Sequence, residues 1–357
     1  MNSDARTVAL LDDWIDSGLV KCASLLVLHR GQEAMRYHKG LCRFTAEQKE
    51  VDDSTVFTIA SPTKTLTASC VMQHVEAGAF CLQEPVAGIL PEFGQNGKEK
   101  VTFFHLLTHT SGLSEQVEGK DELRMREGPL SEFNERIFRA APLFEPGTRY
   151  QYSNCAFSIL GRVIEEIEGR PFGEAPAERI FKPLGMDNSV LGADESWDDR
   201  VAEIELPPGG EETRAFLNTR YWRGMGAPWG AMISNTDDLA RFAEAVRNGG
   251  ALNGTRILSP ATVAAMTRDQ LDRLPAFAGR RDQPRQGLAW MLQRPGHVRY
   301  GDLASDATHG HGGATCSSLW IDPVNEISFV FLSNKEGSIP ARYFGRLSNT
   351  VVAALSG

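Results

Sequence analysis

The chain has 357 residues, 41% hydrophobic and 23% charged, enough apolar material for a sizeable core and no match to disordered, fibrous or repeat compositions. Its 46 acidic against 37 basic residues give a formal net charge of −9, which weighs against nucleic acid or an anionic membrane as partner. No window approaches the ~20 apolar residues that cross a bilayer, and six scattered cysteines lack CxxC or zinc-type spacing.

From the N-terminus, residues 8–15 read as an amphipathic opening helix, with no secretory leader. Cys70 and Cys155 lie in apolar stretches, so buried free thiols are expected and a cytoplasmic location with them. Residues 23–37 read as a strand, a turn at Gly31 and a second strand. Residues 56–60 lead into Ser61, and the stretch from Thr63 to about Gly78 carries the dense apolar positions of a buried helix, with Pro62 suited to its first position. Helices are expected over 158–167, 236–246 and 260–266, among Gly/Pro-rich loops. Strand character returns at 287–292, a hairpin joins 318–322 to 327–332, and apolar residues at 343, 347, 351 and 355 mark a last helix. The economical architecture is α/β (α+β). An antiparallel sheet is built from both termini and flanked by helices (residues 1–75 and 286–357), with a mostly helical, loop-rich domain over 76–285 and the site between them.

Three short segments carry chemistry. Ser61-Pro-Thr-Lys64 is a Ser-x-x-Lys at a helix start. A hydroxyl is a poor nucleophile until a base takes its proton, and three residues is about one helical turn, which sets Lys64 beside Ser61. Alone, the pattern is more often a capping serine and a solvated lysine. Tyr152-Ser-Asn154 precedes a helix. A phenol beside a cationic lysine has its pKa lowered and can act as general base, and the Asn154 amide can hold a substrate carbonyl or the lysine. His309-Gly-His311-Gly-Gly313-Ala314 precedes the hairpin, and the N–H groups of Ala314 and Ser61 suit an oxyanion hole.

These segments resemble the serine β-lactamase-like hydrolases, the branch that holds class C β-lactamases, DD-carboxypeptidases, D-aminopeptidases and cytosolic esterases. Ser61–Lys64, Tyr152–Asn154 and His311–Gly313 match its three motifs in order, and residues 104–113, 183–186, 234–240 and 319–323 look like its framing segments. The resemblance spans about residues 10 to 355. It implies a β-lactamase/DD-peptidase-like fold with Ser61, Lys64 and Tyr152 catalytic, Asn154, His311, Gly313 and Ala314 binding substrate, and neither cofactor nor metal. The family's third motif is usually Lys-Thr-Gly, where a cation and a hydroxyl grip a carboxylate. His311 and Gly312 replace them here, and a histidine is only partly cationic near its usual pKa of ~6.5.

The expectation is therefore an esterase that forms an acyl-enzyme with a small-molecule acyl substrate. The alternatives are a β-lactamase or D-amino-acid peptidase/DD-carboxypeptidase with the same residues, or a catalytically silent penicillin-binding-like sensor. Oligomeric state is left open. His105 and His109, four apart, lack the Glu and third ligand of a metal site and read as packing. His309 reads as a bystander, Trp222, Trp229 and Tyr221 as core or pocket wall, and Asp198-Asp199 and Glu211-Glu212 as solvated surface.

Overall fold

A computed structural model describes residues 3–45, 47–210, 214–280, 282–294, 298–337 and 339–356. Glu211 and Glu212 lie outside the described residues. In chain order, helix α1 is Ser3–Asp16, followed by β1 (Cys22–His29), β2 (Gln32–Arg43), β3 (Lys49–Glu50), β4 (Phe57–Thr58) and helix α2 (Thr63–Glu76). The middle of the chain contributes α3 (Lys120–Met125), α4 (Asn154–Glu168), β5 (Val190–Leu191), β6 (Met232–Ser234) and α5 (Thr236–Arg247), among further helices that include Leu130–Arg139 and Pro260–Thr267. Then come β7 (Met291–Leu292), β8 (His309–Gly313), β9 (Ser317–Asp322), β10 (Ile327–Ser333) and helix α6 (Ala341–Leu355).

Seven strands form one sheet in the order β3-β2-β1-β10-β9-β8-β7. Every neighbouring pair is antiparallel, so the two ends of the chain meet at β1 and β10, with Ala23 opposite Ser333 and His29 opposite Ile327. Both faces of the sheet are covered, which is why β10 is buried at every position. The period of two decides which residue goes where. Leu25, Val27, Phe329 and Phe331 pack with Leu11 and Trp14 of α1 and Phe344, Leu347 and Val351 of α6. Leu26, Val330 and Leu332 turn the other way, into the larger core that holds α2, α4 and α5.

Helix α2 is the pivot of that larger core. Eleven of its side chains are buried, polar ones included, and hydroxyls that burial would orphan find carbonyls nearby: Thr67 Oγ1 donates to Pro228 at 2.7 Å and Ser69 Oγ to Thr65 at 2.8 Å. The segment ahead of it is held from two sides. Strand β4 pairs with β6, and Thr315 and Ser317 donate to the carbonyls of Thr58 and Ile59, each at 2.6 Å. The edge of the large sheet is thereby tied to the residues just before Ser61.

Two expectations change. The strand at 287–292 shrinks to Met291–Leu292, because Ala289 adopts a left-handed φ of 66° and turns its N–H to Leu107. Asp198 is not simply solvated: it lies 3.0 Å from Arg223 and also takes Arg220, and is largely covered. All six cysteines are unpaired, with Cys81 the exposed one.

The layer between α1, the sheet and α6 rests on Trp14, 1% exposed, with Phe331 and Tyr343 edge-on at 5.8 Å. Trp14→Ala is expected to cost about 3–5 kcal/mol in urea unfolding; a loss under about 1 kcal/mol, the scale of an ordinary surface change, would contradict that role for α1.

Candidate active site

Ser61 stands at a tight corner. Ala60 takes a left-handed φ of 54°, a conformation disfavoured for a residue with a Cβ, and the N–H groups of Thr63, Lys64 and Thr65 turn back to the carbonyls of Ala60, Ser61 and Pro62. Pro62 is thus the residue before the helix, with φ −52° and ψ −24°. One turn on, Lys64 Nζ lies 3.2 Å from Ser61 Oγ and donates to the Trp229 carbonyl at 2.7 Å.

Lys64 is completely buried. Removal from water penalises the ammonium, so its pKa falls well below the usual lysine range, with Glu115 offsetting part of that fall. Tyr152 hydrogen-bonds Ser61, and its ring centre lies 4.8 Å from Lys64 Nζ. Burial pushes the Tyr152 phenol above its usual range despite that bond. This direction is opposite to the lowering that the sequence argument expects for a phenol beside a cationic lysine, because burial outweighs every other influence on Tyr152.

The other expected residues converge on the same place. Asn154 opens α4, 9% exposed, and its Oδ1 has no hydrogen-bond partner among the described residues. His311 lies in β8 with its ring centre 6.0 Å from that of Tyr152. Its Nδ1 is 2.8 Å from the Gly312 carbonyl, and Nε2 is buried without a hydrogen-bond partner among the described residues. Burial first, then the charges of Lys64 and Arg299, lower its pKa to about 3, so the ring is neutral at pH 7. A Cβ on Gly313 would overlap Ser317 Oγ and the Ile59 carbonyl, so only glycine lets β8 approach the serine corner this closely. Ser61, Asn154 and Ala314 line one cavity of about 350 Å³ with Thr58, Glu115, Arg124, Arg214, Phe216, Trp222 and Trp229.

His105 and His109 serve structure. His105 Nδ1 accepts the Thr102 N–H in a capping box, and His109 Nδ1 accepts the Ser153 N–H at 3.1 Å. His109 also packs against the Tyr152 ring at 4.5 Å, which fixes the loop that presents the phenol. His309 turns to Ala307 and Trp290. Trp222 and Trp229 are pocket wall, whereas Tyr221 donates to the Gly128 carbonyl.

Sequence reasoning missed Arg299. Its Nη1 lies where a side chain on residue 312 would begin, is buried, and has no hydrogen-bond partner among the described residues. A guanidinium thus occupies the space that the absent threonine leaves. Nothing in the local pattern around residue 299 signals this, because the contact is made across the edge of the sheet.

The lowered pKa of Lys64 has a signed consequence. Between its folded value and the unfolded value of ~10.4, the unfolded chain binds the extra proton, so this group's contribution to stability rises with pH. The Tm difference of Lys64→Met relative to wild type should therefore move against the variant as pH goes from 7 to 10. A difference that stays constant over that range would mean Lys64 keeps its ordinary pKa.

A family profile described as Beta-lactamase matches residues 10–353. Penicillin-binding protein 4 of Amycolatopsis lactamdurans is 28% identical over 98% of this chain and 86% of its own length. A penicillin-binding protein homologue from Caulobacter crescentus superposes with a TM-score of 0.81 at 24% identity, covering 99% of this chain and 98% of the other. A family VIII carboxylesterase gives the same score at 23% identity, again over 99% and 98% of the two chains. With a profile that covers nearly its whole length and a fold shared with these proteins, the chain belongs to the beta-lactamase family and is a serine hydrolase.

Proposed function

We propose that the protein is an esterase for small acyl esters, working through a covalent acyl-enzyme on Ser61. The observation that carries this reading is the 3.2 Å approach of Ser61 Oγ to a fully buried Lys64 amine. As Ser61 Oγ bonds to the carbonyl carbon, its proton passes to neutral Lys64, which becomes an ammonium. The developing oxyanion is taken by the N–H groups of Ser61 and Ala314. When the carbon–oxygen bond to the alcohol breaks, the Tyr152 hydroxyl protonates the leaving oxygen and is reprotonated from Lys64. Water then attacks the acyl-enzyme, the amine takes its proton, and Ser61 recovers its own as the acid leaves. The net change is ester plus water to acid plus alcohol. Tyr152 is a relay that keeps its proton at rest, in line with its raised pKa.

The uncharged His311 supports esters over carboxylated substrates, since it offers no cation at neutral pH. Arg299 favours a second reading. A guanidinium beside Gly312 is suited to a carboxylate on the leaving-group side, as a β-lactam or a peptide ending in a D-amino acid would present. The relative named penicillin-binding protein 4 also leans that way.

Ser61→Ala should abolish labelling by a fluorophosphonate, and labelling that survives on another residue would remove Ser61 from its role. For the substrate class, kcat/KM for p-nitrophenyl butyrate should exceed that for a chromogenic cephalosporin. The reverse order, combined with a loss of about tenfold or more in cephalosporin turnover on Arg299→Gln, would establish the second reading instead.

A further inference from the structure

The cavity above Ser61 is not a plain apolar acyl pocket. Three cations line it, Lys120, Arg124 and Arg214, with two acids, Glu115 and Glu336. Two of the cations have close partners: Lys120 lies 2.7 Å from Asp121, and Arg214 lies 3.5 Å from Glu336. Arg124 differs. It is only 7% exposed, and among the described residues its buried Nε has no hydrogen-bond partner and its one ion pair is a 3.8 Å approach to Asp121. That aspartate is 57% exposed and already engaged by Lys120. A buried charge with so little compensation is costly unless something else completes it.

The aromatic walls hold the group in place. The Arg124 guanidinium carbon lies 4.6 Å from the ring centre of Phe216 and 5.5 Å from that of Trp222, and all three residues line the cavity that opens on Ser61. Stacking fixes a planar fork, the geometry that takes a carboxylate through two parallel hydrogen bonds. Glu115 also lines this cavity, and its charge bears on Lys64. A carboxylate close to the scissile carbonyl would meet Glu115, whereas one several bonds away would reach Arg124.

Resting on the esterase reading, we propose that Arg124 is a specificity-determining residue that binds a carboxylate at the far end of the acyl chain, so that half-esters of dicarboxylic acids are the preferred acyl class. Wild-type kcat/KM for mono-p-nitrophenyl glutarate should then exceed that for p-nitrophenyl butyrate by about tenfold or more, the scale of a charge-assisted hydrogen bond. Arg124→Gln should collapse this ratio at least about tenfold, and Arg124→Lys should keep the larger part of it. A wild-type ratio of one or below overturns the proposal, as does a ratio that Arg124→Gln leaves unchanged while both rates fall together, the mark of a purely structural stack. If Arg124→Gln does not fold, competitive inhibition of the wild type decides: glutarate must bind about tenfold or more tightly than butyrate, and equal inhibition refutes the assignment. Ser61→Ala separates the two layers. Ester hydrolysis that is Ser61-dependent but blind to the distal carboxylate sinks this inference alone; absence of Ser61-dependent ester hydrolysis sinks the esterase reading beneath it.

Discussion

A primary amine sealed away from water is the constraint on which the site depends. Lys64 has no exposed surface, one carbonyl partner at Trp229 and one hydroxyl neighbour at Ser61. In water such an amine is protonated and useless as a base at pH 7. Burial lowers its pKa well below the usual lysine range at the expense of folding free energy, and the surrounding structure must be firm enough to hold the group there. The all-round burial of α2 supplies that firmness, as do the hydroxyls that satisfy its neighbours' carbonyls. In the proposed mechanism Tyr152 is a relay, and its raised pKa suits that role, since a relay passes a proton on and takes one back.

The sheet matters because it delivers the other half of the site to the amine. β8 runs past the serine corner at glycine distance, and the side chains of Thr315 and Ser317 bind the carbonyls of Thr58 and Ile59. Residues some 250 positions apart in sequence are thereby fixed to within hydrogen-bond length. The positive φ of Ala60 and of His109 fits the same picture. Both residues sit next to or against the reacting groups, where local strain is tolerated because neighbours over-determine the position.

Much of this was legible in the sequence, for reasons of scale. Ser61 and Lys64 lie within one helical turn, Tyr152 and Asn154 within one cap, and His311 to Ala314 at the end of one strand, so short-range patterns report them. The apolar runs that begin at residues 23 and 327 likewise reported strands, and the structure shows both strands buried over most of their length. Arg299 and Arg124 were invisible because each acts across elements: one guanidinium fills the space over Gly312, and the other reaches Phe216 and Trp222 from helix α3. The raised pKa of Tyr152 was out of reach for a related reason: a pairwise rule about a phenol beside a cation leaves out desolvation, which is the largest influence on both groups. Residues 287–290 looked like a strand by composition, yet one left-handed residue, Ala289, turned the backbone towards Leu107.

The most direct test of the central claim is an NMR titration of the Lys64 side chain with ¹⁵N-labelled lysine, assigned by its loss in Lys64→Met. The account predicts a neutral amine at pH 7, with its protonation midpoint well below the usual lysine value of ~10.4. A Lys64 resonance that remains that of an ammonium up to pH 10 would contradict it, and would return the task of general base to Tyr152 or to a bound water.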